Sequence, residues 1–203
     1  MNTTYIKATA SGGGGTTIST ATLMKTGQTT SYRTGDDGDL ESGRNVDFFT
    51  LAENNPFGNT NRFTDELGGT AYANDIVIDW STFNGSTVLG WRRTDNGVNI
   101  NWNGAIDGAL LVSIGTFTSN WRLPNVQELF SIIIWDSTYR FNYAPFNINN
   151  TYNFWTSTTD PLATTRALQS TISNYVNIAV KTSISSARYI PCRTFTVTGT
   201  TLS

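Results

Sequence analysis

Trp121-Arg122-Leu123-Pro124-Asn125-Val126-Gln127-Glu128-Leu129 is the stretch on which the reading of this chain turns. Asn125 can accept a hydrogen bond from the free amides of a helix start. Glu128, three residues later, can reach back to the Asn125 amide, which is the reciprocal pattern of a capping box. Val126, Leu129, Phe130 and Ile133 then recur at helical spacing, and Pro124 fixes the entry. The spacing predicts a helix over 125–135. Upstream, Trp102, Ala105, Ile106, Ala109 and Leu110 fall at i, i+3, i+4, i+7 and i+8, which predicts a second helix over 102–113.

Beyond residue 138 the period changes. Residues 175–180, Tyr-Val-Asn-Ile-Ala-Val, and 188–190, Arg-Tyr-Ile, are short β-prone runs. Turn signals are dense elsewhere, as at residues 35–39, Asn54-Asn55-Pro56, Gly68-Gly69, Asn84-Gly85, Asn96-Gly97 and Asn103-Gly104. Two modest helices among short strands and many turns predict a loop-rich α+β domain. Trp121, Leu129, Phe130, Trp155 and Ile190 are its expected buried anchors. The Ser11-Gly12-Gly13-Gly14-Gly15 run reads as a flexible joint, so residues 1–22 are expected to form an arm and residues 23–203 the domain.

Composition narrows the function. Charged residues make up only 14% of the chain and aromatic residues 12%, so the chain buries a real core but offers few ionisable groups. The net charge is −2 and no stripe of Lys or Arg is present, which argues against nucleic acid as a partner. Residues 137–203 are mildly cationic at net +4, a pattern that either an anionic partner surface or scattered solvated charges would give. No stretch is long and apolar enough for membrane insertion, and the N-terminal residues carry no classical signal pattern.

Histidine is absent and Cys192 is the only cysteine. Serine–histidine and cysteine–histidine hydrolase arrangements are therefore excluded, as are histidine-bearing zinc sites and an internal disulfide. Cys192 follows Tyr189-Ile190-Pro191 and reads as a small buried thiol. Asp36, Asp37 and Asp39 are weak candidates for a metal site, against a turn held by carboxylate-to-amide hydrogen bonds. Glu128 could act as an acid, but the capping pattern accounts for it. No cofactor is expected.

The residues that remain are neutral and aromatic. Residues 139–186 hold Tyr139, Phe141, Tyr143, Phe146, Tyr152, Phe154, Trp155 and Tyr175 among Asn, Ser and Thr, a chemistry suited to adaptable recognition. Strand alternation then selects a face. If Val176, Ile178 and Val180 point to the core, Tyr175, Asn177 and Ala179 point outward. Thr171 and Ser173 continue the outward series, Asn174 occupies the turn, and Ser183, Ile184 and Ser185 lie in the next connection. Those nine residues are the expected ligand contacts.

Residues 121–129, together with Phe154-Trp155-Thr156-Ser157-Thr158-Thr159, Lys181-Thr182 and residues 188–193, resemble the Lcl C-terminal-domain family. Weaker likenesses at Lys25-Thr26-Gly27, residues 35–39 and Arg62-Phe63-Thr64-Asp65 extend the resemblance over about residues 23–193. The resemblance implies a C-type-lectin-like fold with two helices and short twisted antiparallel strands. It implies a non-enzymatic binding protein of a virion or cell surface, such as a phage tail adhesin, with a host-cell surface protein or glycan as partner and a homo-oligomer left open. Some members are variable proteins of diversity-generating retroelements, which implies that residues 140–190 form a diversifiable face. Adenine-directed mutagenesis of an AAY codon cannot produce Gln or Lys, so Gln169 and Lys181 are expected to be scaffold. The alternatives are a carbohydrate-active or protein-modifying enzyme on the same fold, or a purely structural tail component. Formylglycine-generating relatives rely on a cysteine pair that this chain lacks, and the Trp-Asn-Asp strand of calcium-dependent lectins is also missing.

Overall fold

A computed structural model describes residues 30–36, 39, 48–51, 53–134, 141, 143–149, 151–170, 176–184 and 187–203. The expected N-terminal arm lies outside the described residues. In chain order the elements are β1 (Phe63–Thr64), β2 (Ile76–Asp79), a 3-10 turn (Trp80–Thr82), β3 (Thr87–Arg92), α1 (Trp102–Leu110), α2 (Val126–Ser131), β4 (Asn153–Thr159), β5 (Arg166–Ser170), β6 (Val176–Val180), β7 (Ala187–Arg188), β8 (Cys192–Thr198) and β9 (Thr201–Leu202). The α+β class stands.

One sheet has the order β1-β2-β3-β8-β9, and β8 returns from the far end of the chain to lie against β3. Its register stacks Ile78, Gly90 and Arg193 on one face and Val77, Trp91 and Cys192 on the other. Both faces are buried, which is why residues 76–79 and 87–92 show little apolar–polar alternation. Gly90 cannot be larger, because a Cβ there would stand 2.4 Å from Phe195 Cε2. On one side Ile76, Ile78, Val88 and Phe195 pack with Trp121. On the other, Val77, Leu89, Trp91 and Cys192 pack with Leu129, Ile132 and Ile133 of α2 and its exit.

The second sheet has the order β6-β5-β4-β7. Its strands are antiparallel as expected except for β7, which runs parallel to β4. A third cluster, Ala105 and Ala109 of α1 with Trp155, Ala167, Ala187 and Tyr189, seats α1 on this sheet.

Both helices form and both are shorter than predicted. The Asn101 side chain caps α1 by accepting from the Gly104 amide at 2.8 Å. The helix ends at Leu110 because Leu110 and Leu111 are exposed and the chain turns into the Ile114–Phe117 bridge. The capping box of α2 is complete: Asn125 Oδ1 accepts from the Glu128 amide, and Glu128 Oε2 accepts from the Asn125 amide. The helix stops after six residues, where the guanidinium of Arg62 donates to the Ser131 carbonyl at 2.8 Å. A cation at a helix C-terminus satisfies a carbonyl that has no partner within the helix. Trp121, Leu129, Trp155 and Ile190 are buried as expected, whereas Phe130 is only half-buried.

Candidate ligand-binding face

Strand β6 lies at the edge of its sheet, bonded among the described residues to β5 alone. The register sets Ala179 opposite Ala167, Asn177 opposite Gln169, and Ile178 opposite Leu168. Ala179 packs against the alanine-rich cluster under α1. The expected core row is not buried: Val176, Ile178 and Val180 are 46%, 49% and 49% exposed, while Asn177 is exposed as expected. Ala179, expected outside, is the inward residue. The cause is size and position. Ala167, Ala105 and Ala109 leave room for a methyl group, and α2 packs on β4 and β5 while β6 stands one strand further out. Branched residues fit the extended backbone of an edge strand without being buried.

The other predicted contacts divide in two. Asn177 and Ile184 are exposed, Ile184 by 63%, and Ser183 is half-buried with its amide on the Val180 carbonyl. Thr171, Ser173, Asn174, Tyr175 and Ser185 lie outside the described residues. Of the described contacts, Ser183 and Ile184 follow the aliphatic row of β6 in the chain, while Asn177 alternates to the other face of the strand. Sequence reasoning missed that row as a surface, because alternation identifies two faces without saying which one a helix will cover.

The scaffold behind the face is firmly tied. Lys181 donates to Thr159 Oγ1 at 3.0 Å, and its ammonium lies 4.0 Å from the centre of the Trp102 ring. Gln169 is buried. Trp102 Nε1 donates to the Thr156 carbonyl, and Trp155 Nε1 donates to the Ile100 carbonyl, both at 2.8 Å. The Ser157 amide donates to the Pro124 carbonyl and the Val126 amide to Thr158 Oγ1, so residues 154–159 and 121–129 are sewn to each other. Arg122 exchanges backbone hydrogen bonds with Cys192, which ties the same stretch to the other sheet. The two stretches most typical of the resemblance are joints of the fold, not contact surfaces.

The Glu128 and Asp36 carboxylates have structural partners, and the Cys192 thiol is buried. Glu128 receives both Arg122 Nη1 and Nη2, at 2.7 and 2.6 Å. Burial pushes its carboxyl up, but the Arg122 guanidinium and the Asn125 amide outweigh it and hold the group below the ordinary glutamate value. Burial drives the Cys192 thiol far above the usual range, so no thiolate nucleophile forms near neutrality. Asp36 accepts from the amides of Tyr32, Arg33 and Asp39, and Asp39 accepts from the Gly35 amide. Those bonds, the Tyr32 amide first, keep the Asp36 carboxyl below its ordinary value. They give a turn held by its own carboxylates; Asp37 lies outside the described residues. Among the described residues no three of His, Cys, Asp and Glu gather into a metal-holding group.

Comparisons with curated proteins and with solved structures found no match. The family model described as the Lcl C-terminal domain matches residues 82–192. That span runs from the end of the 3-10 turn to the first residue of β8 and takes in both helices and the whole β6-β5-β4-β7 sheet. It is narrower than the resemblance over 23–193 and leaves β1 and β2 outside. With more than half of its length matched and an α+β architecture consistent with a C-type-lectin-like domain, the chain belongs to the Lcl C-terminal domain family.

Proposed function

We propose that this chain is a non-enzymatic ligand- or receptor-binding protein of a virus or phage surface, a tail adhesin that engages a host-cell surface protein or glycan. The observation that carries the reading is β6. It is an edge strand whose outward row of Val176, Ile178 and Val180 is about half exposed, with Asn177 exposed on its other face and Ile184 exposed in the connection that follows, on a sheet anchored by both helices. Side chains on a rigid strand recognise a partner at little ordering cost. The partnered carboxylates of Glu128 and Asp36 and the buried thiol support a role other than catalysis.

Replacing Asn177, Ile178 and Ile184 by serine tests the face. Surface substitutions stay within about 0.5 kcal/mol each, so the variant should melt close to the parent. Binding to whole host cells and to glycan and protein arrays should be lost or redirected. Unchanged binding by the folded variant would place the ligand elsewhere. The finer reading, a face diversified over residues about 140–190, is tested by the neighbouring DNA: a near-copy of that segment differing at adenines, beside a reverse transcriptase, is the expected arrangement. The aliphatic character of the row also favours a second reading, a structural tail component in which a neighbouring subunit covers β6. In that case the triple variant loses its oligomeric state in sedimentation and leaves binding untouched.

A further inference from the structure

On the opposite side of the first sheet a cavity of about 380 Å³ lies between the 66–74 loop, the 114–117 turn and the C-terminal hairpin. Its size is that of a small-molecule site, with room for about a dozen waters. Leu67, Ile114, Phe117 and Leu202 give it apolar walls, and among the described residues Glu66 is the only charged one lining it. Glu66 is 8% exposed, its Oε1 accepts from Asn74 Nδ2, and its buried Oε2 has no donor among the described residues. Thr116, Thr200 and Thr201 also line the cavity, yet none of their hydroxyls serves that oxygen. A buried carboxylate oxygen left without a donor is costly. Glu66 also has no ion pair with Arg193, whose guanidinium stacks on Phe117 and Phe195.

We propose that this cavity binds an organic monocation, an alkylammonium or alkylguanidinium group, with the Glu66 carboxylate turning its closed-off Oε2 into the cavity to receive the head and the apolar walls holding the stem. A calcium ion would want six to eight oxygens, and a single carboxylate with a few hydroxyls does not supply them. A neutral sugar would meet the hydroxyls but leave the negative charge uncompensated. The cation fits both the lone charge and the apolar lining.

Calorimetric titration of the full chain with n-butylammonium, n-butylguanidinium and the neutral n-pentanol decides it. Saturable binding of a cation, at least tenfold tighter than the alcohol, is expected. Thr116→Trp, an exposed position at the cavity lining, should block it, and Glu66→Gln should weaken it by about ten- to a hundredfold, the worth of a charge-assisted hydrogen bond. A blocked N-acetyl-lysine methylamide arm distinguishes the sources: binding by it as well as by butylammonium points to a side chain of another protein, and binding by butylammonium alone to a free amine. Should Glu66→Gln fail to fold, Thr116→Trp and the alcohol comparison still decide. Equal binding of cation and alcohol, no effect of Thr116→Trp, an unchanged affinity in folded Glu66→Gln, or no saturable binding of any cation would each overturn the proposal.

Discussion

Arg62 and Asp79 are both fully buried, and their pairing sets up the sharpest test of how this fold is held. Arg62 Nε and Nη2 donate to Asp79 Oδ1 and Oδ2 at 2.9 and 2.7 Å, and the same guanidinium reaches the Ser131 and Phe48 carbonyls. The rings of Phe48 and Phe63 stand 4.3 and 4.4 Å from its central carbon. Asp79 also accepts from the amide and hydroxyl of Ser81. Breaking such a pair by removing one partner costs about 3–5 kcal/mol, because the other charge stays buried without compensation. We predict that loss for Arg62→Met and for Asp79→Asn in urea melts. Total stability is usually about 5–15 kcal/mol, so each single variant should shift the midpoint plainly. The double variant leaves no isolated charge and should cost clearly less than the sum of the two. Single losses under about 1 kcal/mol, or strict additivity, would refute the assignment, since contacting residues in one network couple.

Trp155→Ala should destabilise by about 3–5 kcal/mol, because it empties a fully buried indole site and removes the hydrogen bond to Ile100; a thermal melt matching the parent would contradict that placement. Val176→Asp should be tolerated within about 0.5 kcal/mol, while Ala179→Asp, pressed toward Trp155 and Ala167, should cost about 1–3 kcal/mol; the reverse order would restore the original face. Glu128 has a folded-state pKa below its unfolded value, so its contribution is present above that value and fades as pH falls through the folded pKa; the parent should therefore lose more melting temperature than Glu128→Gln on acidification below about pH 4.3, and parallel losses would deny the shift. Cys192 should react with a thiol reagent only on denaturation, and labelling of the native protein would show that the thiol is accessible.

What the sequence revealed and what it hid follow from distance along the chain. The capping box at Asn125 and Glu128 spans three residues, and its hydrogen bonds stand where the side chains predict them. Trp121, Leu129 and Trp155 are large and apolar, so their burial followed from composition and helical spacing. The Arg62–Asp79 pair spans 17 residues and depends on β1 lying against β2, which no local pattern announces. The same holds for Glu66, whose cavity is assembled from three separate parts of the chain. Strands β2 and β3 escaped notice because both of their faces are covered, which erases the alternation that marks a half-buried strand. In β6 the alternation was visible and its sense was not. Val, Ile and Val outrank Asn and Ala in hydrophobicity, but on an edge strand beside an alanine-lined helix only the small Ala179 is drawn inward.

That placement bears on how such a domain separates architecture from recognition. In the joining stretches almost every residue has a structural duty: Arg122 bonds to β8 and to Glu128, Pro124 and Val126 are bonded to β4, and Trp155 and Thr156 bond to α1 or the loop before it and to β5. A change there has to be accommodated by two elements at once. On β6 the backbone supplies the pairing to β5, and backbone pairing is indifferent to side-chain identity. Only Ala179 has a packing duty on that strand. The neighbours that fix the strand, Gln169 in the adjacent strand and Lys181 on the Trp102 ring, are buried or stacked and stand outside the exposed row. Val176, Asn177, Ile178 and Val180 can therefore be exchanged at little cost to the fold. That freedom is the physical condition that the proposed binding face requires.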